Sequence, residues 1–198
     1  MTYEVRVAEV SETDTVLNTL MLAFAADPPV RWLMSTPDDY LAGFKGFAGG
    51  MGGPGMAAGT GYLADDGANR GAATALWLPP GVTSDREAMM TAIMPFMTEA
   101  KGAVAGQVSE GLAQYHPHEP HWYLAMIGVD PARQGLGLGS ALLKAALQRC
   151  DADGVIAYLE SSHPKNVPLY ERFGFEVMGV VQPGDFPPIY PMLRPARG

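Results

Sequence analysis

The sequence has little cysteine, no long apolar run and no visible export signal. Cys150 is the only cysteine among 198 residues, which excludes an internal disulfide and favours a reducing compartment. No apolar run approaches the roughly 18 to 20 residues that span a bilayer. The start of the chain, residues 1–6, lacks the basic and apolar segments of a secretory signal. We therefore expect a cytoplasmic protein without a membrane partner.

Basic residues are also scarce. The chain carries 13 Lys and Arg against 21 Asp and Glu, which gives a formal net charge of −8. A nucleic-acid partner would require a basic face, so we expect none, and a cationic small molecule suits this charge better. Hydrophobic residues make up 47% of the chain, and the length fits one domain, which we expect to span residues 1–198.

What the sequence does contain is a glycine-rich segment between an apolar run and an amphipathic pattern. Residues 122–129 are apolar enough for one buried strand, which Asp130-Pro131 ends. Glycines then alternate over 135–139, and apolar residues follow at helical spacing up to Cys150. A strand, a glycine turn and a helix in this order predict an anion site. The first turn of a helix has N–H groups without intrahelical partners, and glycine lets a phosphate approach the backbone.

The spacing of the glycines distinguishes between the known phosphate loops. A nucleotide P-loop needs Gly-Lys-Ser/Thr, but Gly139 is followed directly by Ser140. The dinucleotide fingerprint needs a third Gly or Ala, and the two possible positions hold Ser140 and Leu142. The order from Gln134 to Gly139 instead fits Gln/Arg-x-x-Gly-x-Gly/Ala.

This hexapeptide resembles the pyrophosphate loop of the GNAT superfamily, the acyl-CoA-dependent N-acyltransferases. Residues 166–175 resemble a second hallmark of that superfamily, Asn-x-x-x-Tyr-x-x-x-Gly-Phe. More narrowly, residues 116–124 and 159–175 are similar to the puromycin N-acetyltransferases, although Leu136 stands where a lysine is common. The resemblance implies an α/β GNAT fold, in which a single mixed, mostly antiparallel sheet is splayed at its central strands and flanked by helices.

The resemblance also implies acetyl-CoA as the co-substrate. The backbone of 127–129 would bind the pantetheine arm and the thioester oxygen, and the N–H groups of 135–140 would hold the pyrophosphate. Arg133 or Gln134 would brace the pyrophosphate, and Asn166 would contact the pantetheine or cap its helix. The implied coenzyme-binding residues are Ile127, Gly128, Val129, Arg133, Gln134, Gly135, Leu136, Gly137, Leu138, Gly139, Ser140 and Asn166.

Two side chains are candidates for the chemistry. The resemblance assigns Tyr170 as the general acid that protonates the departing thiolate, and a core aromatic residue is the alternative. Glu160 is the candidate base, acting directly or through a water, because it ends a predicted buried strand facing the cofactor gap. It could instead anchor the substrate ammonium or be solvated, and His121 is the second candidate base. Segment 116–121 contains three histidines. Its two prolines predict a surface loop, and because no further ligands complete a set, we expect no metal site there.

These features predict transfer of an acetyl group to a primary amine of a small molecule by direct attack in a ternary complex. An amino antibiotic such as puromycin is the specific expectation. A non-catalytic acyl-CoA-binding regulatory module and a protein N-terminal or lysine acetyltransferase are the alternatives. We expect the acceptor pocket around Trp32, Tyr62 and Trp77, and a monomer or homodimer. Residues 49–61 are predicted to be a mobile loop, with a flap over the acceptor pocket as the alternative.

Overall fold

The computed structural model describes residues 3–67 and 70–197. In this part of the chain the strands are β1 (Glu4–Val7), β2 (Gly61–Asp65), β3 (Ala73–Leu78), β4 (His121–Val129), β5 (Ile156–Ser161), β6 (Glu176–Val177) and β7 (Tyr190–Arg194). They form one seven-stranded sheet in the order β1-β2-β3-β4-β5-β7-β6. Within the described residues β4 and β5 are the only parallel neighbours. The predicted mixed, mostly antiparallel α/β fold is confirmed.

Helices cover both faces of this sheet. They are α1 (Thr13–Ala23), α2 (Pro28–Leu33), α3 (Pro37–Ala57), α4 (Arg86–Ile93), α5 (Glu99–Ala113), α6 (Leu138–Asp153) and α7 (Val167–Glu171). Leu142 and Leu143 of α6 are buried in one core cluster, and Leu20 of α1 and Phe44 of α3 are buried in another. None of the described helices combines the length and the apolarity needed to cross a membrane.

The glycine-rich stretch after Phe47 belongs to a helix, so the loop predicted over 49–61 is wrong. Helix α3 continues to Ala57 and leaves a short connection before β2. A Cβ on Gly52 would lie 2.5 Å from Leu76 Cδ1, and one on Gly55 would lie 2.2 Å from the Trp77 carbonyl oxygen. Glycine therefore lets α3 lie directly on β3, and the burial of this contact compensates for the poor helix propensity of glycine.

Helix α2 follows shortly after α1 in the chain. Asp27 is the residue directly before this helix. The Asp27 carboxylate accepts a hydrogen bond from the Val30 N–H at 3.1 Å, and Pro28 occupies the first helical position. This helix start fixes the Asp27 side chain beside the open end of β4, where it lines the same cavity as Ile127 and Gly128.

Candidate active site

Strands β4 and β5 separate at the centre of the sheet. Their parallel pairing runs from His121↔Ile156 to Leu124↔Leu159, whereas β4 stays paired with β3 as far as Val129. Within the described residues the ladder between β4 and β5 stops at Leu124. The backbone of β4 beyond that residue therefore borders a gap, as the resemblance predicted.

A β-bulge in β4 lies at the start of this gap. Leu76 pairs with Met126 and Trp77 pairs with Leu124, so Ala125 is an extra residue on the β4 side. A bulge of this kind bends a strand and redirects its side chains. Just beyond it, α1 lies so close to β4 that a Cβ on Gly128 would be only 2.7 Å from the Cβ of Ala23.

The glycine loop leads directly into α6. Gly135 and Gly137 have φ values of +76° and +90°, a left-handed conformation that favours glycine. The first bond of the helix runs from the Ala141 N–H to the Gly137 carbonyl at 3.0 Å. The N–H groups of 138–140 therefore lie in the first turn, at the positive end of the helix dipole.

The space around this loop is open. A Cβ on Gly135 would meet nothing within 4 Å, and the nearest atom to a Cβ on Gly139 would be Leu169 Cδ2 at 3.6 Å. Close protein packing therefore does not account for glycine at either position. Glycine leaves room beside the first-turn amides for a bulky anion.

Neighbouring segments fix both ends of the loop. The Arg133 Nε lies 3.1 Å from the Asp66 carboxylate, on the connection between β2 and β3. The Tyr3 hydroxyl donates a hydrogen bond to the Leu136 carbonyl. Arg133 is thus engaged by an acidic partner at the edge of the site, and its role toward pyrophosphate stays a prediction.

One cavity of about 670 Å³ extends from this loop, along the β4–β5 gap, to α1, α2 and α3. It brings together every residue predicted to bind the coenzyme except Leu136, which is 43% exposed, and its wall also holds Glu160 and Tyr170. His121, the second candidate base, does not line it. The predicted residues in its wall are Ile127, Gly128, Val129, Arg133, Gln134, Gly135, Gly137, Leu138, Gly139, Ser140, Glu160, Asn166 and Tyr170.

Tyr170 lies on α7 in the wall of this cavity. It is almost fully buried, and its ring contacts Phe175 edge-on with centroids 6.2 Å apart. Burial, together with the negative charge of Asp27, raises the pKa of Tyr170 above the usual value of tyrosine. The hydroxyl therefore keeps its proton at neutral pH, and its role as the general acid stays a prediction.

Glu160 occupies the other side of the gap, on β5. Its carboxylate accepts hydrogen bonds from the Tyr123 hydroxyl at 3.2 Å and the Tyr158 hydroxyl at 3.1 Å. Its Oε1 lies 3.9 Å from the Nδ1 of His116. These contacts hold the carboxylate toward the cavity. The alternative of a freely solvated side chain is disfavoured, because only 16% of this side chain is exposed.

The structure adds a second carboxylate that the sequence analysis missed. Asp27 lines the same cavity and accepts a hydrogen bond from the Ser162 hydroxyl at 2.5 Å. Burial raises the pKa of Asp27, although the bonds from Ser162 and the Val30 N–H oppose the shift. A sequence pattern of Asp-Pro-Pro indicates only a helix boundary. Nothing in that pattern places the carboxylate opposite a serine 135 positions away.

The end of the cavity away from the glycine loop is lined largely by apolar residues, and it does not include the residues expected to form the acceptor pocket. Tyr62 and Trp77 are buried in the core against α6, and Trp32 packs on Phe186 instead of lining the cavity. The expected pocket around these three residues is therefore wrong. The apolar residues that line this end are Phe24, Pro29, Val30, Leu33, Phe47, Met51, Val108, Leu112, Phe186 and Ile189.

The histidine-rich segment 116–121 lies beside the cavity. Across the described residues no group of three or more His, Cys, Asp or Glu side chains is arranged to hold a metal ion. His121 begins β4, and its Nδ1 lies 2.8 Å from the Glu119 carbonyl oxygen. His116 is the histidine that faces Glu160.

Comparison with known structures places this geometry among acetyltransferases. The chain superimposes on a Corynebacterium glutamicum protein described as 'histone acetyltransferase HPA2 and related acetyltransferase', with a TM-score of 0.75. The two are 25% identical over 100% of this chain and 98% of that one. The polyamine N-acetyltransferase of Drosophila melanogaster, which forms N-acetylagmatine, has a TM-score of 0.69. That enzyme is 17% identical over 97% of this chain and 99% of its own, so the similarity shows the fold alone.

Sequence comparison covers a shorter part of the chain. An uncharacterized N-acetyltransferase of Schizosaccharomyces pombe is 46% identical over 54 residues, 27% of this chain. The mycothiol acetyltransferase of Acidothermus cellulolyticus is 38% identical over 85 residues, 41% of this chain. These matches span only 22% and 26% of the relatives' own lengths. The profile of the acetyltransferase (GNAT) family, however, matches residues 69–175, more than half of the chain. The chain therefore belongs to the GNAT family of acetyltransferases.

Proposed function

We propose that this protein transfers the acetyl group of acetyl-CoA to a primary amine on a small molecule with an apolar body. The observation that carries the proposal is the continuity of the cavity. One end is formed by the amides at the start of α6. The middle is formed by Tyr170 and by the part of β4 that no longer pairs with β5, and the far end by two carboxylates in an apolar wall. Such a cavity holds both substrates at once, which direct attack in a ternary complex requires.

The coenzyme end has the groups that an acyl-CoA needs. The N–H groups of Gly135 to Ser140 would hold the diphosphate, and Gln134 and Arg133 would flank it. The free edge of β4 over 127–129 would bind the pantetheine and orient the thioester carbonyl. Asn166, which also lines the cavity, would contact the pantetheine.

The proposed chemistry uses one acid and one base. Glu160 takes a proton from the ammonium group, directly or through a water, because only the free amine is a nucleophile. The amine then forms a bond to the thioester carbon, and the C–S bond breaks. Tyr170 protonates the departing sulfur and regains a proton from the nitrogen of the new amide.

We assign Asp27 as the anchor of the incoming ammonium group. It lies in the wall of the cavity, its negative charge acts on Tyr170, and the Ser162 hydroxyl orients its carboxylate. A carboxylate in this position would bring a cation to the reaction centre before proton removal begins. The net charge of the chain, −8, favours the approach of such a substrate.

The apolar wall limits the acceptor to amines whose remaining atoms are aliphatic or aromatic. An amino antibiotic such as puromycin fits this description and stays our specific proposal. The similar proteins above are named for mycothiol and polyamine acetylation, so those classes belong in the same test. A cytoplasmic location suits a protein with a single, buried cysteine.

The test is the release of coenzyme A thiol from acetyl-CoA in the presence of a panel of amines. Burial raises the pKa of Cys150 to about 12, so the protein's own thiol should not react with the thiol reagent. We expect turnover with apolar primary amines and little with tertiary amines of the same shape. Acetyl-CoA binding without turnover on any amine would favour the regulatory module. Turnover on peptides alone would favour the protein acetyltransferase.

A further inference from the structure

A cluster of aromatic side chains lies behind Glu160. His116, in the segment after α5, places its Nδ1 3.9 Å from Glu160 Oε1. Its ring lies 4.9 Å from the ring of Tyr158 and 5.5 Å from that of Tyr123, between centroids. The His121 ring packs edge-on against that of His116, with centroids 4.9 Å apart. Glu160 thus faces two tyrosines and one histidine, from β4, β5 and the segment after α5.

His116 connects Glu160 to a second cavity. This cavity has a volume of about 710 Å³, and its wall includes His116, His121 and Tyr123. Tyr123 also lines the first cavity, so the two spaces share a wall. The Glu160 side chain is 16% exposed, whereas that of His116 is 42% exposed. The histidine therefore lies between a mostly buried carboxylate and the second cavity.

The proposed reaction must export one proton per turnover. An ammonium group carries three N–H hydrogens, the amide product keeps one, and coenzyme A takes one. The third leaves as a proton, which Glu160 holds after it has deprotonated the amine. Glu160 must lose this proton before it can activate the next amine. A path that does not pass through the first cavity would let the proton leave while the products still fill that cavity.

We propose that His116 accepts this proton from Glu160 and releases it into the second cavity. The inference rests on the proposed function. The O–H bond of protonated Glu160 breaks as an N–H bond forms at Nδ1 of His116, and water in the second cavity removes the proton from Nε2. A small rotation or one bridging water closes the 3.9 Å separation.

The neighbouring tyrosines are unsuited to this task. Burial raises the pKa of Tyr123 well above its usual value and also raises that of Tyr158, with the charge of Glu160 adding to both shifts. Both hydroxyls therefore stay protonated and act as donors that orient the carboxylate. Imidazole is the side chain that exchanges protons most readily near neutral pH.

The test compares His116→Ala with His118→Ala in the full chain. His118 is an exposed histidine of the same segment and also borders the second cavity. We expect His116→Ala to lower kcat at pH 7 about tenfold or more, in line with the loss of a proton-transfer group. The KM for acetyl-CoA should not change. Free imidazole in the buffer should restore part of the lost rate in this variant alone, and His118→Ala should match the parent protein.

A His116→Ala protein as active as the parent, or a loss that imidazole does not relieve, would overturn the exit path. Thermal unfolding with and without acetyl-CoA checks that the variant is folded. If it is not, His116→Gln replaces it, and an unchanged kcat there would overturn the path equally. Glu160→Gln separates the two proposals in the same assay. An active Glu160→Gln protein removes the proposed base. An inactive Glu160→Gln beside a fully active His116→Ala removes the exit path alone.

Discussion

The two ends of the cavity are built in different ways. The proposed coenzyme end consists mainly of backbone groups within one continuous stretch, from the β4 edge at Ile127 to the first turn of α6. The proposed acceptor end consists of side chains from α2, α3 and α5, from the residue after α1 and from the segment before β7. The family profile covers 69–175 and leaves α1, α2 and α3 outside it.

This difference determines how freely the residues at each end can be replaced. Backbone groups recognise a diphosphate only if glycine and helix geometry are kept, so the sequence of the loop is constrained. An apolar wall needs only shape and hydrophobicity, which many residue combinations satisfy. One end is therefore suited to a common coenzyme, whereas the other can be adapted to different amines.

The largest loss of activity should come from a change at Tyr170, which lies between the two ends of the cavity. Tyr170→Phe keeps the ring that packs on Phe175 but removes the proton donor. We expect kcat to fall about 100-fold or more. Isothermal titration should give a Kd for acetyl-CoA within about twofold of that of the parent. Activity equal to that of the parent would remove Tyr170 from the mechanism.

The acceptor end is tested by the loss of the Asp27 charge. Asp27→Asn should raise the KM for the amine about 10- to 100-fold, since a bond to a charged group is worth about 1.5–3 kcal/mol. The KM for acetyl-CoA should not change. Because protonation also removes the charge, the amine KM of the parent should rise as the pH falls. The raised pKa of Asp27 moves this rise to a higher pH than an exposed aspartate would give.

Asp85→Asn is the matched control for this variant. Asp85 caps α4 as Asp27 caps α2, through a bond of 3.0 Å from the Ala88 N–H, and it lies outside the cavity. Asparagine caps helices about as well as aspartate. Equal changes of the amine KM in both variants would mean that Asp27 acts through helix stability and not through its charge.

The coenzyme end is tested by a pair of left-handed glycines on the same helix. Gly137 begins α6 with φ +90°, and Gly154 ends it with φ +64°. Alanine at either position should cost about 1–2 kcal/mol of unfolding free energy. Only Gly137→Ala should raise the KM for acetyl-CoA, by about tenfold, because only that position shapes the anion site. A similar KM in both variants would contradict the assignment of the loop.

The smallest effect on activity is expected in the glycine-rich part of α3. A Cβ on Gly53 would meet nothing within 4 Å, so Gly53→Ala should stabilise the protein by about 1 kcal/mol. Gly55→Ala should destabilise it by about 1–3 kcal/mol, because its Cβ would overlap the Trp77 carbonyl. Calorimetry of the two variants checks these signs. Destabilisation of similar size in both would contradict the packing of α3 on β3.

The same contrast determines how much could be predicted from the sequence. The turn before α6 could be predicted because a strand, a glycine turn and a helix leave a fixed local pattern in the sequence. Tyr170 and Asn166 were assigned through the family resemblance, and their roles stay predictions. Asp27 was missed because its role depends on Ser162, which a distant part of the chain supplies. Helix α3 was mistaken for a loop because glycine is a poor helix former in isolation, and only its contact with β3 makes a helix the favoured state.

Hydrogen–deuterium exchange with and without acetyl-CoA tests the central claim most directly. That claim is that the amides before and within the first turn of α6 bind the coenzyme beside the separated strands β4 and β5. We expect acetyl-CoA to slow the exchange of amides 135–140 and of 127–129, and to leave the amide of Gly154, at the other end of α6, unchanged. Slowing elsewhere in the chain, with the exchange of 135–140 unaltered, would contradict the account.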